Sequence, residues 1–156
     1  MGMHYGQFNV EMFYDEKTDE IKIIEINPRM SYQFADLYEN VDGCNTYDIL
    51  LDLTLGRKPS FTRGAGKYSC AASFVFRTFR GKRLKRVPTA SEVKDFGQKY
   101  SGSRIKIYGK PGKWLYPEMR AAGSYRYAIV NTGAQTLIDL LAIYKDAAEK
   151  LQFRFA

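Results

Sequence analysis

The chain has 156 residues, of which 45% are hydrophobic and 26% are charged, and its formal net charge is +7. This length suits one compact domain or two small lobes, and this composition argues against a disordered chain. No apolar run approaches the roughly 20 residues that a membrane span needs, and the first residues lack the basic and apolar regions of a signal peptide.

The first two predicted elements are the strands of an antiparallel hairpin. Polar and apolar residues alternate over Phe8–Tyr14 and again over Ile21–Asn27, and the segment between these runs is charged apart from one threonine. Alternation with period two on both sides of a polar segment is typical of a hairpin. A turn centred on Thr18 then predicts which side chains face one another.

One face of this hairpin carries four polar side chains, because Glu11 lies opposite Glu25, Asn9 lies opposite Asn27, and residues two apart share a face. Directly opposed residues have Cβ atoms about 4.5–5.5 Å apart, so the carboxylates repel unless water, a raised pKa or a cation relieves them. Carboxylate and amide oxygens suit Mg²⁺ or Mn²⁺, and a solvated hairpin face is the alternative. The opposite face is predicted to be a packing surface of four apolar residues: Val10, Met12, Ile24 and Ile26.

The residues after the second strand complete the pattern. Pro28 has no N–H for the strand ladder and therefore ends the strand. Arg29 follows, and its guanidinium can bind a phosphate or carboxylate through two parallel hydrogen bonds. The strings Asn9–Glu11 and Glu25–Arg29 resemble the nucleotide-binding end of the ATP-grasp ligases, in the branch that contains biotin carboxylase, carbamoyl phosphate synthetase and the amino-acid ligases.

The resemblance implies an ATP site with Mg²⁺ or Mn²⁺ on this hairpin. Glu11, Glu25 and Asn27 would be the metal ligands. Asn9 and Arg29 would lie against the nucleotide, and Arg29 would also be the catalytic contact to phosphate or substrate. By the same resemblance, ATP would activate a small-molecule carboxylate as an acyl phosphate, from which an amine or another nucleophile displaces phosphate.

The resemblance also implies the fold and the partners. The expected fold is α+β, with the carboxyl-terminal half of an ATP-grasp domain (an antiparallel sheet with packed helices) at residues 1–57 and a small α+β subdomain at residues 58–156. The family's phosphate-binding lysines and adenine-binding segment would precede Met1. The expected partner is therefore an amino-terminal ATP-grasp lobe, the chain alone is expected to be inactive, and a homodimer is left open.

After the hairpin, residues 30–39 predict a loop that runs into a short helix. This segment lacks the glycine or histidine signature that many members of the family carry there, so the substrate is left open. Asn45 or Thr46 caps a predicted helix over Tyr47–Leu55, which ends at Gly56. Its apolar residues occur nearly all round the helix, which predicts that it is well buried.

The rest of the chain predicts mixed strands and helices beyond a linker at residues 57–60. The first two strands are predicted to form a basic hairpin, and the last helix has apolar residues at helical spacing. The predicted elements are strands at Tyr68–Arg77 and Arg83–Val87, a helix from Thr89 or Ser91 toward Tyr100, a strand at Arg104–Tyr108, a turn at Lys110–Lys113, a strand at Tyr125–Val130, a connection at Asn131–Gly133 and a helix at Ala134–Leu151.

Two other features suggest different functions. The glycine-rich segment 63–69 lacks the four-residue spacer and the Lys-Ser pair of a phosphate loop, so we do not expect it to bind phosphate. A cluster of six basic residues could bind nucleic acid, face an acidic partner or simply be solvated, and nucleic acid is the less favoured partner. These residues are Arg77, Arg80, Lys82, Arg83, Lys85 and Arg86.

Four isolated residues complete the sequence-based expectations. Cys44 and Cys70 have no metal-binding or redox spacing, which predicts reduced, buried thiols in a cytoplasmic protein. His4 has no partner spacing and is predicted to have no role in catalysis. Trp114 is predicted to be a core anchor.

Overall fold

The structure is a computed structural model that describes residues 5–115, 120–121 and 123–156, and His4 lies outside the described residues. Every strand pairing among these residues is antiparallel, and helices pack on the largest sheet, which confirms the predicted α+β class. The elements are β1 (Asn9–Asp15), β2 (Glu20–Asn27), a short 3-10 helix (Tyr32–Phe34), α1 (Ala35–Asp42), α2 (Thr46–Thr54), β3 (Cys70–Thr78), β4 (Leu84–Arg86), α3 (Ala90–Lys99), β5 (Arg104–Ile107), β6 (Arg120–Ala121), β7 (Ser124–Ala134), α4 (Leu137–Lys150) and β8 (Arg154–Phe155).

The core lies between the largest sheet and α4. In this sheet β7 is central, with β3 and β5 on its two sides, and β6 pairs with the start of β7. The apolar spacing of α4 places its buried residues against β7, while α1 also packs on β3 and β7. The buried core consists mainly of Phe76, Phe96, Ala128, Val130, Leu140, Ile143, Ala147 and Leu151.

Strand β7 is longer than predicted. Asn131–Gly133 was predicted to connect a strand to the last helix, but these residues continue β7 and pair with β3, and Asn131 also pairs with Arg104 of β5. Because Gly133 has no side chain, the Tyr68 ring can pack against the strand there; a Cβ at Gly133 would stand 2.4 Å from Tyr68 Cδ2. The polar residues are therefore part of the sheet, and Asn131 is only 6% exposed.

The predicted basic hairpin of β3 and β4 does not form. The nine residues of β3 pair with β7, whereas β4 pairs with β8 at the end of the chain. Leu84 of β4 is fully buried, and its N–H and C=O bond to Lys113 and Gly112, which holds β4 away from β3. The prediction for Trp114 is also wrong: Trp114 is 57% exposed, and the neighbouring Leu115, at 5% exposure, takes the core position instead.

Helix α2 begins and ends one residue earlier than predicted, keeps the predicted Asn45 cap, and lacks the predicted burial. The Asn45 side chain accepts a hydrogen bond from the Tyr47 N–H, and Gly56 follows the helix with φ +69°. None of its residues is buried, and Leu51 remains 58% exposed. The all-round apolar pattern therefore creates an exposed apolar surface, because the described residues leave much of this helix uncovered. No helix in the described part of the chain has the length and apolarity of a membrane span.

The two cysteines are free and half-buried rather than fully buried. The Cys70 thiol donates to the Ala134 carbonyl oxygen at 3.2 Å, so it lies within the β3–β7 pairing. Burial raises the pKa of the Cys44 thiol above its ordinary value, and the carboxylates of Asp48, Asp42 and Asp52 raise it further.

An ion pair joins α3 to α4 and predicts a pH effect. The Lys99 ammonium lies 3.0 Å from the Asp146 carboxylate, and Lys150 lies 3.4 Å from it. Burial raises the pKa of Asp146, but hydrogen bonding, first of all from Lys99, and the lysine charges lower it below its ordinary 3.8. Because the folded pKa is depressed, this stabilisation is complete above the ordinary pKa and is lost as the pH falls through the folded pKa.

We therefore expect Asp146→Asn to lower the melting temperature by about 2–4 °C at neutral pH. The difference from the unmodified chain should shrink in acid, as the pH falls through the folded pKa of Asp146 and both chains come to carry an uncharged group. Thermal unfolding followed by circular dichroism at neutral and at acid pH measures this. Glu149→Gln is the control, since Glu149 is exposed on the same helix, and an equal loss at both pH values for Asp146→Asn would contradict the assignment.

Candidate functional site

The hairpin of β1 and β2 has the predicted register at its polar end. Asn9 pairs with Asn27 and Glu11 pairs with Glu25, which confirms the predicted facing pairs. Beyond Glu11 a β-bulge shifts the register by one residue, so that Met12 pairs with Ile23 rather than with Ile24. The predicted pairing is therefore correct from Asn9 to Glu11 and wrong between Met12 and the turn.

The turn of the hairpin is closed by its own polar side chains. The Tyr14 hydroxyl donates to Asp19 Oδ1 at 2.9 Å, and the Lys17 N–H donates to Asp15 Oδ1 at 2.9 Å. Asp19 adopts φ +55°, a left-handed conformation that Asp tolerates better than most residues. These local interactions determine where the chain reverses, and the β-bulge beyond the turn then sets which residues face each other at the polar end.

Hydrogen bonds link three of the predicted site residues on this face. The Asn27 side-chain NH₂ donates to Glu25 Oε1, and the Arg29 guanidinium donates to Asn27 Oδ1 at 3.4 Å. The Arg29 backbone N–H also donates to the Asn27 carbonyl oxygen at 2.8 Å, which bends the chain just after Pro28. The side chains of Glu25, Asn27 and Arg29 therefore lie on one side of the hairpin, with Glu11 in register beside Glu25.

This donor set suits a divalent cation that keeps other ligands. Glu11 and Glu25 are exposed and Asn27 is half-buried, so both carboxylates are open to a ligand. Mg²⁺ usually takes one or two protein carboxylates and fills its remaining positions with water and phosphate oxygens. No cluster of three or more His, Cys, Asp or Glu side chains suited to a metal exists among the described residues. Ligation by Asn27 requires its amide to rotate, because its nitrogen now faces Glu25.

The apolar side chains of the hairpin have no cover among the described residues. Met12, Ile24 and Ile26 of the predicted packing face are 48%, 62% and 39% exposed, and no third strand pairs with β1 or β2 there. A two-stranded hairpin is marginally stable at best in water without a further strand or a packed helix. The exposed apolar residues of the hairpin lie on both of its faces, since successive strand side chains alternate, and we call them together the hairpin apolar surface: Phe8, Met12, Phe13, Tyr14, Ile21, Ile23, Ile24 and Ile26.

Asn9 is one of the residues that line a cavity of about 360 Å³ beside the hairpin, α1 and α2. The Gln7 side chain donates to the Thr46 carbonyl oxygen at 2.8 Å and so ties the start of β1 to this helix. Phe8, Met30 and Cys44 also line the cavity. The predicted nucleotide contact is thus half-buried beside an open space, in contrast to the exposed glutamates.

The glycine-rich segment has a structural role. The Gly64 N–H donates to Asp42 Oδ1, the Gly66 N–H donates to the Val41 carbonyl oxygen, and both bonds are 2.8 Å long. A phosphate loop needs backbone N–H groups that are available to the phosphate. These N–H groups instead bind the end of α1, which supports the expectation that this segment does not bind phosphate.

A polar group on the α1 side of the sheet was missed by the sequence analysis. The Asn131 side-chain NH₂ donates to the Gln33 carbonyl oxygen at 2.7 Å and to Asp36 Oδ2 at 3.2 Å. Lys106 and Tyr108 of the neighbouring strand lie beside them, around a second cavity. The alternating polar residues 104–108 indicate a strand. Because Asn131 is predicted to lie in a connection, however, the sequence does not place it opposite this strand.

Comparisons with known proteins show the fold. No protein-family model and no curated protein matches the sequence. Solved structures do match, and one is the L-amino acid ligase from Bacillus licheniformis, with a TM-score of 0.66 and 17% identity over 99% of this chain and 37% of that chain. Another is phosphoribosylglycinamide synthetase from Anaerococcus prevotii, with a TM-score of 0.66 and 12% identity over 99% of this chain and 38% of that chain.

A third match is the biotin carboxylase domain of the 2-oxoglutarate carboxylase from Hydrogenobacter thermophilus, solved with MgADP, ADP and bicarbonate. It has a TM-score of 0.67 and 13% identity over 97% of this chain and 32% of that chain. The described fold is that of the carboxyl-terminal portion of the ATP-grasp enzymes. The chain spans less than two fifths of the length of these three solved chains.

Proposed function

We propose that this chain is part of an ATP-dependent ligase that joins a carboxylate to an amine or a related nucleophile, and that MgATP binds at the polar face of the hairpin. The observation that carries this proposal is the register that sets Glu11 beside Glu25, with Asn27 and Arg29 bonded to each other on the same face. The ATP-grasp fold supports it.

Each residue has a role that follows from its chemistry. Glu11, Glu25 and Asn27 would hold Mg²⁺ or Mn²⁺, which neutralises charge on phosphoryl oxygens when it is bound. Arg29, whose exposed guanidinium makes only long hydrogen bonds of 3.3 and 3.4 Å, to Met30 and Asn27, among the described residues, can turn toward a phosphate or carboxylate. Asn9 would contact the nucleotide from the cavity beside β1.

The reaction needs little covalent chemistry from the protein. A carboxylate oxygen of the substrate attacks the γ-phosphorus, and the bond to ADP breaks. The nucleophile then attacks the acyl carbon, inorganic phosphate leaves, and the nucleophile loses its proton. Positioning and charge stabilisation supply most of the rate in phosphoryl transfer, so Arg29 and the acidic pair are the residues to test. The experiment that tests the proposal is ADP release with Glu25 intact and with Glu25 replaced by glutamine.

The hairpin apolar surface fits an amino-terminal ATP-grasp lobe as its partner. Such a lobe would cover the exposed isoleucines and aromatic rings of β1 and β2 and supply the other wall of the nucleotide cleft. Under this proposal residues 1–57 complete the ATP-grasp domain, residues 58–156 form the carboxyl-terminal subdomain, and the enzyme acts in the cytoplasm. We call this chain joined to that lobe the assembled enzyme.

This arrangement predicts that the chain alone binds MgATP weakly, with a dissociation constant above about 1 mM. The reason is that only one wall of the cleft is present, so most of the nucleotide surface would remain in water. Isothermal titration calorimetry of the chain with MgATP measures the affinity, and the same titration with EDTA gives the metal-free control. A micromolar dissociation constant for the chain alone would mean that no second lobe is needed.

A further inference from the structure

A second cavity lies between the start of α1 and strand β5. Its volume is about 350 Å³, within the range of about 300–1,000 Å³ in which small-molecule sites usually fall. Ile105 and Ile129 give it an apolar wall, and the remaining lining is mainly polar and aromatic. The residues on which the inference depends are Tyr32, Gln33, Asp36, Lys106, Tyr108 and Asn131.

Two buried polar atoms of this lining make no well-formed hydrogen bond to a described residue, Asn131 Oδ1 and the Tyr108 hydroxyl, although the Tyr32 phenol lies close to that hydroxyl. Both hydrogens of the Asn131 amide are used, toward the Gln33 carbonyl oxygen and Asp36, so its oxygen is left as an acceptor that needs a donor. An unsatisfied buried polar group is destabilising, and a well-folded sheet rarely tolerates one without a reason.

Cationic groups gather over the aromatic lining of the same cavity. The Lys106 ammonium lies 5.1 Å from the centre of the Tyr32 ring and 5.4 Å from that of Tyr108. The Arg126 guanidinium lies 4.6 Å from the centre of the Tyr108 ring. Arg104 is already paired with Asp36 at 3.0 Å, whereas Lys106 has no carboxylate partner among the described residues. One side of the cavity is therefore rich in donors for an anion.

The protonation of Tyr108 agrees with a role as a donor. Burial raises the pKa of the Tyr108 phenol, the positive charge of Arg126 partly opposes this, and the neighbouring Tyr32 phenol raises it further. The pKa stays above its ordinary value, so the phenol keeps its proton at neutral pH. The hydroxyl can then donate to an anionic oxygen.

We propose that this cavity binds a small molecule that carries both a carboxylate and an N–H donor, as an amino acid does. Lys106 and the Tyr108 hydroxyl would bind the carboxylate, and Asn131 Oδ1 would accept from the ammonium or amide. Both atoms are buried, so the proposal includes a local movement that opens them to the ligand, in which the exposed Lys106 side chain turns from the two rings toward the carboxylate. The binding of this molecule does not depend on the proposed function. Its further role as a reactant of the ligase does.

Three probes of one skeleton test the assignment: L-leucine, 4-methylpentanoate, which lacks the amino group, and 3-methylbutylamine, which lacks the carboxylate. We expect L-leucine to give saturable amide shifts at residues 105–108 and 131 of the ¹⁵N-labelled chain, measured without nucleotide or metal. Each trimmed probe should bind about tenfold more weakly or worse. No saturable shift with any probe, or equal binding of a trimmed probe, would overturn the inference and leave the ATP-turnover test unaffected.

Two variants separate binding from folding. Tyr108→Phe removes only a hydroxyl that makes no well-formed hydrogen bond, so we expect an unchanged or higher melting temperature together with about tenfold weaker L-leucine binding. Lys106→Met keeps the aliphatic stem and loses the charge, with a similar loss of binding, whereas Lys94→Met on the exposed side of α3 is the matched control and should bind like the unmodified chain. Unweakened binding by Tyr108→Phe or Lys106→Met would overturn the inference.

Discussion

Replacing Glu25 by glutamine is expected to lower ATP turnover of the assembled enzyme by about 100-fold or more. The substitution removes one of two facing carboxylates and leaves a side chain of the same shape, so the metal loses a charged ligand. Electrostatic stabilisation of a phosphoryl group by a bound metal amounts to several kcal/mol, and each 1.4 kcal/mol or so is a factor of about ten in rate. Steady-state ADP release measures the effect.

The fold should survive this change. Glu25 is exposed, and a glutamine there can still accept the hydrogen bond from Asn27 through its own oxygen. Circular dichroism of the chain alone should therefore give the same melting temperature within about 2 °C, as expected for an exposed substitution. A lower turnover at constant stability assigns the effect to the site.

A matched control and a second measurement make this prediction sharper. Glu20 lies on the same strand and is also exposed, but it faces the turn and lies 3.7 Å from Lys22. Glu20→Gln should leave turnover unchanged. Paramagnetic broadening of the chain's own amide signals by Mn²⁺ should centre on residues 11, 25 and 27 and weaken in Glu25→Gln only. Normal ADP release by Glu25→Gln, or equal Mn²⁺ broadening in both variants, would remove the metal assignment.

The polar end of the hairpin could be predicted because its determinants are local. The alternation of the strands and the charged segment between them place Glu11 beside Glu25 without reference to the rest of the chain. The β-bulge after Glu11 was not predictable from the same pattern, because period-two alternation does not reveal one inserted residue. The observed turn is centred between Lys17 and Thr18 rather than on Thr18, and the extra residue Ile24 restores the predicted register, so that Glu11 faces Glu25.

Long-range pairing limited the remaining predictions. Strand β3 was assigned to the next strand along the chain, but it pairs with β7, some sixty residues later in sequence for Cys70 and Ala134. Local patterns identify a strand but not its partner. The same limit concealed the cavity beside Lys106, whose walls come from α1, β5 and β7.

Apolar composition also predicted burial where the described chain provides none. Helix α2 and the hairpin apolar surface have the sequence of buried elements, yet Leu51 and Ile24 are 58% and 62% exposed. Apolar surface gains free energy when it is removed from water, whichever chain or domain covers it. The apolar pattern of an element therefore indicates that the element needs a covering surface, but it does not identify the chain or domain that provides it.

The glycine-rich segment leads to the second large effect: Gly66→Ala is expected to destabilise the chain by about 3 kcal/mol or more. A Cβ at Gly66 would stand 2.3 Å from the Asn40 carbonyl oxygen and 2.4 Å from the Val41 carbonyl carbon. Both are backbone atoms at the end of α1, so no side-chain rotation can relieve the clash. The Gly66 N–H bond to Val41 and the Tyr68 N–H bond to Asn40, at 2.8 and 2.9 Å, would be strained as well.

Chemical denaturation of Gly66→Ala and Gly97→Ala measures this against a matched control. Gly97 lies inside α3 without a positive φ, and a Cβ added there would have no described atom within 4 Å, so alanine at this position should stabilise the chain by about 0.5–1 kcal/mol. The same substitution is thus expected to act in opposite directions at the two sites. If Gly66→Ala unfolded at the same denaturant concentration as the unmodified chain, the segment would not be packed against α1, and its N–H groups would again be available to a phosphate.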